Sequence, residues 1–251
     1  MAFWVDFHTH ILDSSSLEKD SLDSLKEGVS HWLVNSVDLP NWESNQKKAE
    51  LFPSAIVGVG FHPERVIEAN ENEIDSLLDT FSSLAKDSPF LGEVGFDFLY
   101  AKTNEQKKIQ EKVFRQFIIW GNQYDKLLSV HSRRAKQECV DILNENNAKN
   151  VLLHWFSGNE KQQKTIIENN WVISVGPAIL NNRHLDKMIE RQPLDLLALE
   201  TDSPIPFDGV SSNPSWIVKV AEKVSEIKQV DLEDVQRAQM GIFSRFFHSV
   251  L

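Results

Sequence analysis

The sequence predicts an α/β fold, a (β/α)8 barrel forming a single domain over residues 1–251. Three observations lead there. Short apolar runs alternate with longer amphipathic segments nearly from end to end, the pattern of parallel strands joined by crossover helices. Eight such runs fit within 251 residues, the usual size of this barrel. No G-x-G-x-x-G follows a strand, so a doubly wound open sheet, the runner-up, lacks its phosphate-binding turn. No internal repeat, low-complexity tract or dividing linker is visible in the sequence.

The first strand candidate covers residues 3–7 and leads into Asp6-Phe7-His8-Thr9-His10. Side chains alternate along a strand, so His8 and His10 share a face and can converge on one divalent cation. Taken alone, the pair reads equally as two solvated histidines at a polar strand end. The other strand candidates are 31–34, 54–60, 90–94, 128–131, 151–154, 171–175 and 195–200. Helix candidates lie near 20–28, 42–51, 71–86, 104–124, 133–146, 160–169, 182–191, 214–226 and 232–247. In the segment 104–124, Phe114, Phe117, Ile118 and Gly121 recur at helical spacing and read as core packing.

Catalytic groups of such barrels sit at the carboxyl ends of the strands. Strand three ends in Gly60-Phe61-His62-Pro63, and strand four carries Gly92-Glu93-Val94-Gly95-Phe96-Asp97. Strand five ends in His131-Ser132-Arg133, strand six in His154-Trp155-Phe156-Ser157-Gly158, and strand eight in Glu200-Thr201-Asp202-Ser203-Pro204. His8, His10, His131 and His154 can thus join Glu93 and Asp202 around one cavity, with His62 nearby. Each has a plain alternative. Glu93 can be a satisfied buried acid, His131 and His154 surface residues, and Asp202 a cap. Their common placement at strand ends is what points to a site. His31 and His184 read as ordinary structural histidines, His248 as exposed, and Asp97 as holding a loop or a ligand in place.

Imidazole and carboxylate without thiolate suit Zn²⁺, Mn²⁺ or Mg²⁺. Six donors exceed one tetrahedral zinc, which favours two divalent metal ions sharing a carboxylate, with Glu93 as the bridge. Two ions about 3.5–4 Å apart can clamp both oxygens of an in-line displacement.

Composition is that of a water-soluble globular chain, 41% hydrophobic and 25% charged. No apolar run is long enough to span a membrane, and no basic region followed by an apolar core marks a secretory leader. The single cysteine, Cys139, reads as helix packing and suits a reducing cytoplasm. The net charge of −11, with no basic stripe, argues against tight non-specific duplex binding. Lys47-Lys48 and Lys107-Lys108 read as solvated helix surface. A small anionic substrate stays open, because bound dications invert the local field.

Taken together, residues 6–10, 60–63, 92–97, 131–133, 154–158 and 200–204 resemble the TatD family of metal-dependent hydrolases, among the amidohydrolase-like barrels. The resemblance implies a (β/α)8 barrel in which His8, His10, Glu93, His131, His154 and Asp202 are metal ligands. Many members are deoxyribonucleases, often 3′–5′ exonucleases, and some resemble aminoacyl-tRNA deacylases. The chain departs from the pattern at Arg134, where an acid is usual, and at Trp155, where a cysteine is usual. It also departs at Ser211-Ser212-Asn213-Pro214, in place of Arg-Asn-Glu-Pro, and near Met240-Gly241, in place of an asparagine. None of these is one of the six ligands.

The expected activity is phosphodiester cleavage by metal-activated water, in the cytoplasm, on single-stranded DNA or nucleotide ends. No obligate protein partner and no membrane are expected. Glu93 and Asp202 are the expected catalytic residues, Asp202 also accepting a proton from the attacking water. His62 and Arg133 are expected to contact the phosphate, Arg133 through paired hydrogen bonds. Trp155 either stacks on a base or packs at the rim. The rival readings are hydrolysis of another ester, lactone or amide with the same metals, and a non-catalytic metal-bound barrel.

Overall fold

Each apolar run of the sequence forms a parallel strand, and each run but the last passes into a helix that packs back on the sheet. The computed structural model describes residues 3–247. In chain order the elements are β1 (Trp4–Thr9), α1 (Leu17–Lys26), β2 (Val29–Val34), α2 (Leu39–Ala49), β3 (Ala55–Val57), α3 (Pro63–Glu68), α4 (Ile74–Ala85) and β4 (Leu91–Asp97). Then come α5 (Asn104–Tyr124), β5 (Leu128–Arg133), α6 (Lys136–Glu145), β6 (Val151–Leu153), α7 (Glu160–Glu168), β7 (Val172–Val175) and α8 (Asp186–Arg191). The chain closes with β8 (Leu197–Leu199), a hairpin of β9 (Pro206–Phe207) and β10 (Val210–Ser211), α9 (Ile217–Lys228) and α10 (Leu232–Phe246).

The eight parallel strands run as two ladders, β1-β2-β3 and β4-β5-β6-β7-β8. The ladders meet at two seams. At the first, Val59 bridges Leu91 and the Gly92 amide donates to the Val59 carbonyl at 2.8 Å. At the second, the Asp202 amide donates to the His8 carbonyl at 3.0 Å and the His10 amide to the Ser203 carbonyl at 2.6 Å. The architecture is the (β/α)8 barrel predicted from the alternation, with its ladder interrupted at these two places. Both seams fall beside residues of interest, Glu93 at one and His8, His10 and Asp202 at the other.

The helix signals act locally. Asp38 caps α2 by accepting from the Asn41 amide at 2.8 Å, and reciprocal capping boxes start α5 at Thr103 and α7 at Asn159. The inward stripe of α5 buries Phe114, Phe117, Ile118 and Gly121, as its spacing predicts. One apolar cluster joins helices to strands. A second takes Val5, Leu33, Ile56, Leu152, Val172 and Ala198 from six strands and is sealed by Ile242, Phe243 and Phe247 near the C-terminus. Among the described residues no helix is long and apolar enough to cross a membrane.

The structure adds two elements to the sequence reading. Residues after His62 form α3, with Pro63 in its first turn and the His62 ring accepting from the Glu64 amide at 3.2 Å. The β9–β10 hairpin turns at Asp208-Gly209, both in the left-handed region. His184 lies in a one-turn 3-10 segment, Arg183–Leu185, and not in the helix expected there. His31 packs between Phe3 and Phe243. Cys139 is fully buried in α6. His248 lies outside the described residues.

Candidate metal centre

His8 ends its ring against β5, where Nδ1 lies 3.0 Å from the Ser129 hydroxyl. His10 Nδ1 donates to the Asn35 carbonyl at 2.9 Å, which leaves its Nε2 as the free nitrogen. Both Nε2 atoms thereby face two carboxylates. His8 Nε2 is 3.5 Å from Glu93 Oε2 and 3.7 Å from Asp202 Oδ1; His10 Nε2 is 3.4 and 3.6 Å from the same atoms.

Glu93 stands in β4 at the first seam, where glycines permit close approach. A Cβ on Gly60 would come within 2.2 Å of the Glu93 amide nitrogen. While Oε2 faces His8 and His10, the other oxygen, Oε1, lies 2.6 Å from His131 Nδ1 and 2.9 Å from His154 Nε2. His131 Nε2 is tied to Asp97 Oδ2 at 2.9 Å, and Asp97 Oδ1 accepts from the Leu99 amide at 2.8 Å. His62 Nε2 is 3.7 Å from Glu93 Oε1.

The fold therefore brings together His8, His10, Glu93, His131, His154 and Asp202, with His62 alongside. Arg133 stands apart: its side chain is exposed and lines a cavity of about 500 Å³ that also reaches His131, His154 and Asp202.

Charge within the cluster is divided. Burial opposes ionisation of Glu93, but His154, His62 and His8 outweigh it and hold the carboxyl well below its usual range. Burial also opposes charge on His154, His131 and His10. Glu93 and Glu200 raise His154 well above normal, Asp97 and Glu93 raise His131, and Glu93 and Asp202 raise His10 to about 9. Burial wins at His8, held well below its usual value, and at His62, lowered to about 3. It pushes Asp202 up to about 6 against the pull of His10 and His154. Imidazoles bind a dication in their neutral form, so a cation held here would offset the carboxylates and release any proton these rings carry.

The donor set fits such a cation. His8 Nε2 is fully buried and has no hydrogen-bond partner among the described residues. Its carboxylate neighbours at 3.5 and 3.7 Å are too far for hydrogen bonds. They are close to the edge of a tetrahedron with zinc-like bonds of 2.0–2.1 Å, about 3.3–3.4 Å. Groups able to hold an ion include His8, His10 and Glu93, and also His62, Glu93 and His131.

Several supporting residues were not assigned from the sequence. Glu200 Oε1 accepts from the Trp155 amide at 2.8 Å, and Oε2 accepts from the Ser174 hydroxyl at 2.5 Å. Asp6, wholly buried, accepts from the Thr201 amide at 3.0 Å and from its hydroxyl, tying β1 to the end of β8. The legible signal for Asp6 and Glu200 was an acid at the end of an apolar run. Ser129 and Asn35 carried none, because Ser129 reaches His8 across 121 positions of sequence.

Comparison with known proteins identifies the family and the fold. The family profile described as TatD related DNase matches residues 5–248. An uncharacterised metal-dependent hydrolase of Buchnera aphidicola is 29% identical over 269 aligned residues, covering 98% of this chain and 99% of that protein. Human deoxyribonuclease TATDN3 is 28% identical over 247 residues, covering 92% and 89%. The crystal structure of YjjV, a TatD homologue of Escherichia coli K12, shares the fold with a TM-score of 0.85 at 20% identity, over 98% of both chains. The chain belongs to the TatD-related DNase family of metal-dependent hydrolases.

Proposed function

We propose that this protein is a deoxyribonuclease that hydrolyses phosphodiester bonds at single strands or strand ends with two divalent cations, Zn²⁺, Mn²⁺ or Mg²⁺. The observation that carries the reading is the Glu93 carboxylate, which turns Oε2 to His8 and His10 and Oε1 to His131 and His154. A carboxylate shared in this way suits two ions about 3.5–4 Å apart. When bound, such ions supply Lewis acidity to the phosphoryl group and lower the pKa of water.

The chain does the rest. His8, His10 and Asp202 would hold one ion and His131 and His154 the other, with Glu93 placed between the two groups. The Ser129, Asn35 and Asp97 contacts fix the ring orientations. Asp202 accepts the proton of the attacking water. His62, kept neutral by burial, and Arg133 at the cavity wall hold the phosphate under attack. The deoxyribonuclease named among the relatives supports the substrate class.

The test is hydrolysis of a single-stranded oligonucleotide by purified protein before chelation, after it, and after each metal is restored. A panel of carboxyl esters and lactones is run beside it. Loss on chelation and recovery on metal addition are expected. Cleavage of the esters with no action on the oligonucleotide would replace this reading with the ester hydrolase.

A further inference from the structure

The cavity beside the metal centre is more basic than phosphodiester cleavage requires. Its volume, about 500 Å³, is that of a small-ligand pocket and not of a groove that tracks a long strand. In a chain of net charge −11, its lining holds Arg133, Arg134 and Lys136 against one carboxylate, Asp202. The ion pairs among the described residues engage other cations, and neither Arg134 nor Lys136 has a carboxylate within 4.0 Å. With Arg133 given to the phosphate under attack, Arg134 and Lys136 have no task there.

Of the eight non-glycine residues with positive φ among the described residues, three line this cavity. Arg134 has φ 57°, Trp155 φ 44° and Asp202 φ 52°, all in the left-handed region that side chains larger than glycine rarely adopt. They follow the ends of β5, β6 and β8, and all three residues line the one cavity. Local strain of this kind persists where surrounding structure enforces it. At Trp155 that support is visible, since its amide donates to the buried Glu200 carboxylate at 2.8 Å.

We propose that Arg134 and Lys136 form a second anion subsite, separate from the phosphate under attack, and that with Trp155 they select strand ends bearing a terminal phosphate monoester. The proposal rests on the phosphodiesterase reading above. A monoester carries about −1.5 to −2 charges near neutral pH, against −1 for an internal diester, so two further cations match it. Trp155 offers a flat face on which the terminal base can stack, whatever its identity. Monoesters at the 5′ and 3′ ends share this chemistry, and experiment separates them.

The experiment uses metal-loaded protein and three single-stranded oligonucleotides of one sequence, with hydroxyls at both ends, a 5′-phosphate, or a 3′-phosphate. Steady-state kcat/KM is measured for wild type, Arg134→Glu, Arg134→Lys and Lys136→Ala. Wild type is expected to favour one phosphorylated end about tenfold, mainly through KM. Arg134→Glu is expected to bring that ratio close to one, Lys136→Ala to lower it, and Arg134→Lys to keep most of it. Lys136→Ala serves as the deciding variant if Arg134→Glu does not fold. Equal kcat/KM on all three ends in wild type would overturn the subsite and leave the phosphodiesterase standing. A preference that survives in both Arg134→Glu and Lys136→Ala would overturn it too. Failure of wild type to cleave any of the three would overturn the phosphodiesterase, and the subsite with it.

Discussion

His8 Nε2 is fully buried with no hydrogen-bond partner among the described residues, which costs about 1–3 kcal/mol unless something else uses the atom. A cation held between His8, His10, Glu93 and Asp202 would use it. The orientation depends on Nδ1, which meets the Ser129 hydroxyl. Ser129→Ala removes that partner while leaving the apolar surroundings intact. Metal affinity, measured by calorimetric titration, is expected to fall about 10–100-fold. Unchanged affinity would mean that packing alone holds the ring. Asp202→Asn keeps the shape of the side chain but removes its charge and most of its basicity. Turnover on an oligonucleotide is expected to fall by roughly 10²–10⁴-fold, with circular dichroism unchanged. Near wild-type turnover in a folded, metal-loaded Asp202→Asn protein would remove Asp202 from the mechanism.

At the scale of elements, the approach of β3 to β4 decides where Glu93 stands. A methyl group on Gly60 would meet the Glu93 nitrogen and the Gly92 carbonyl carbon, both at 2.2 Å. Neither is a flexible side chain, so the seam itself must shift. Gly60→Ala is expected to lose roughly 1–3 kcal/mol of stability, read by thermal or denaturant unfolding, and to weaken metal binding with it. Gly241, on α10 with nothing within 4 Å of its would-be Cβ, gives the contrast. Gly241→Ala is expected to stabilise by roughly 0.5–1 kcal/mol. If both substitutions had equal effects, the close approach at Gly60 would not matter. The eight strands were legible because each is an apolar run bounded by turn residues. The hairpin was not, since β9 and β10 have two residues each, too few to show alternation. Its Asp208-Gly209 turn was the available signal. Helix α3 was hidden because His62-Pro63 read as a strand end, whereas Pro63 opens the helix and His62 caps it.

Across the whole molecule, charge and topology favour a local site over a long nucleic-acid track. The chain carries −11 overall and lines the cavity beside Asp202 with Arg133, Arg134 and Lys136, which suits strand ends more than an intact duplex. At equal salt, activity on a single-stranded oligonucleotide is expected to exceed that on a closed circular duplex. Equal rates would contradict this. The convergence of these six residues was legible because a parallel barrel collects its strand ends on one face, so motifs from His8 to Asp202 meet whatever their sequence separation. The hydrogen bonds that orient them were not, because they depend on distances between residues far apart in sequence. The division of Glu93 between two histidine pairs is the feature on which the rest depends. Its most direct test is to titrate metal-stripped protein with Zn²⁺ or Mn²⁺, following bound metal and oligonucleotide hydrolysis on the same samples. Binding of two equivalents per chain, with hydrolysis appearing only as the second is filled, is expected; full activity at one equivalent, or in excess chelator, would contradict it.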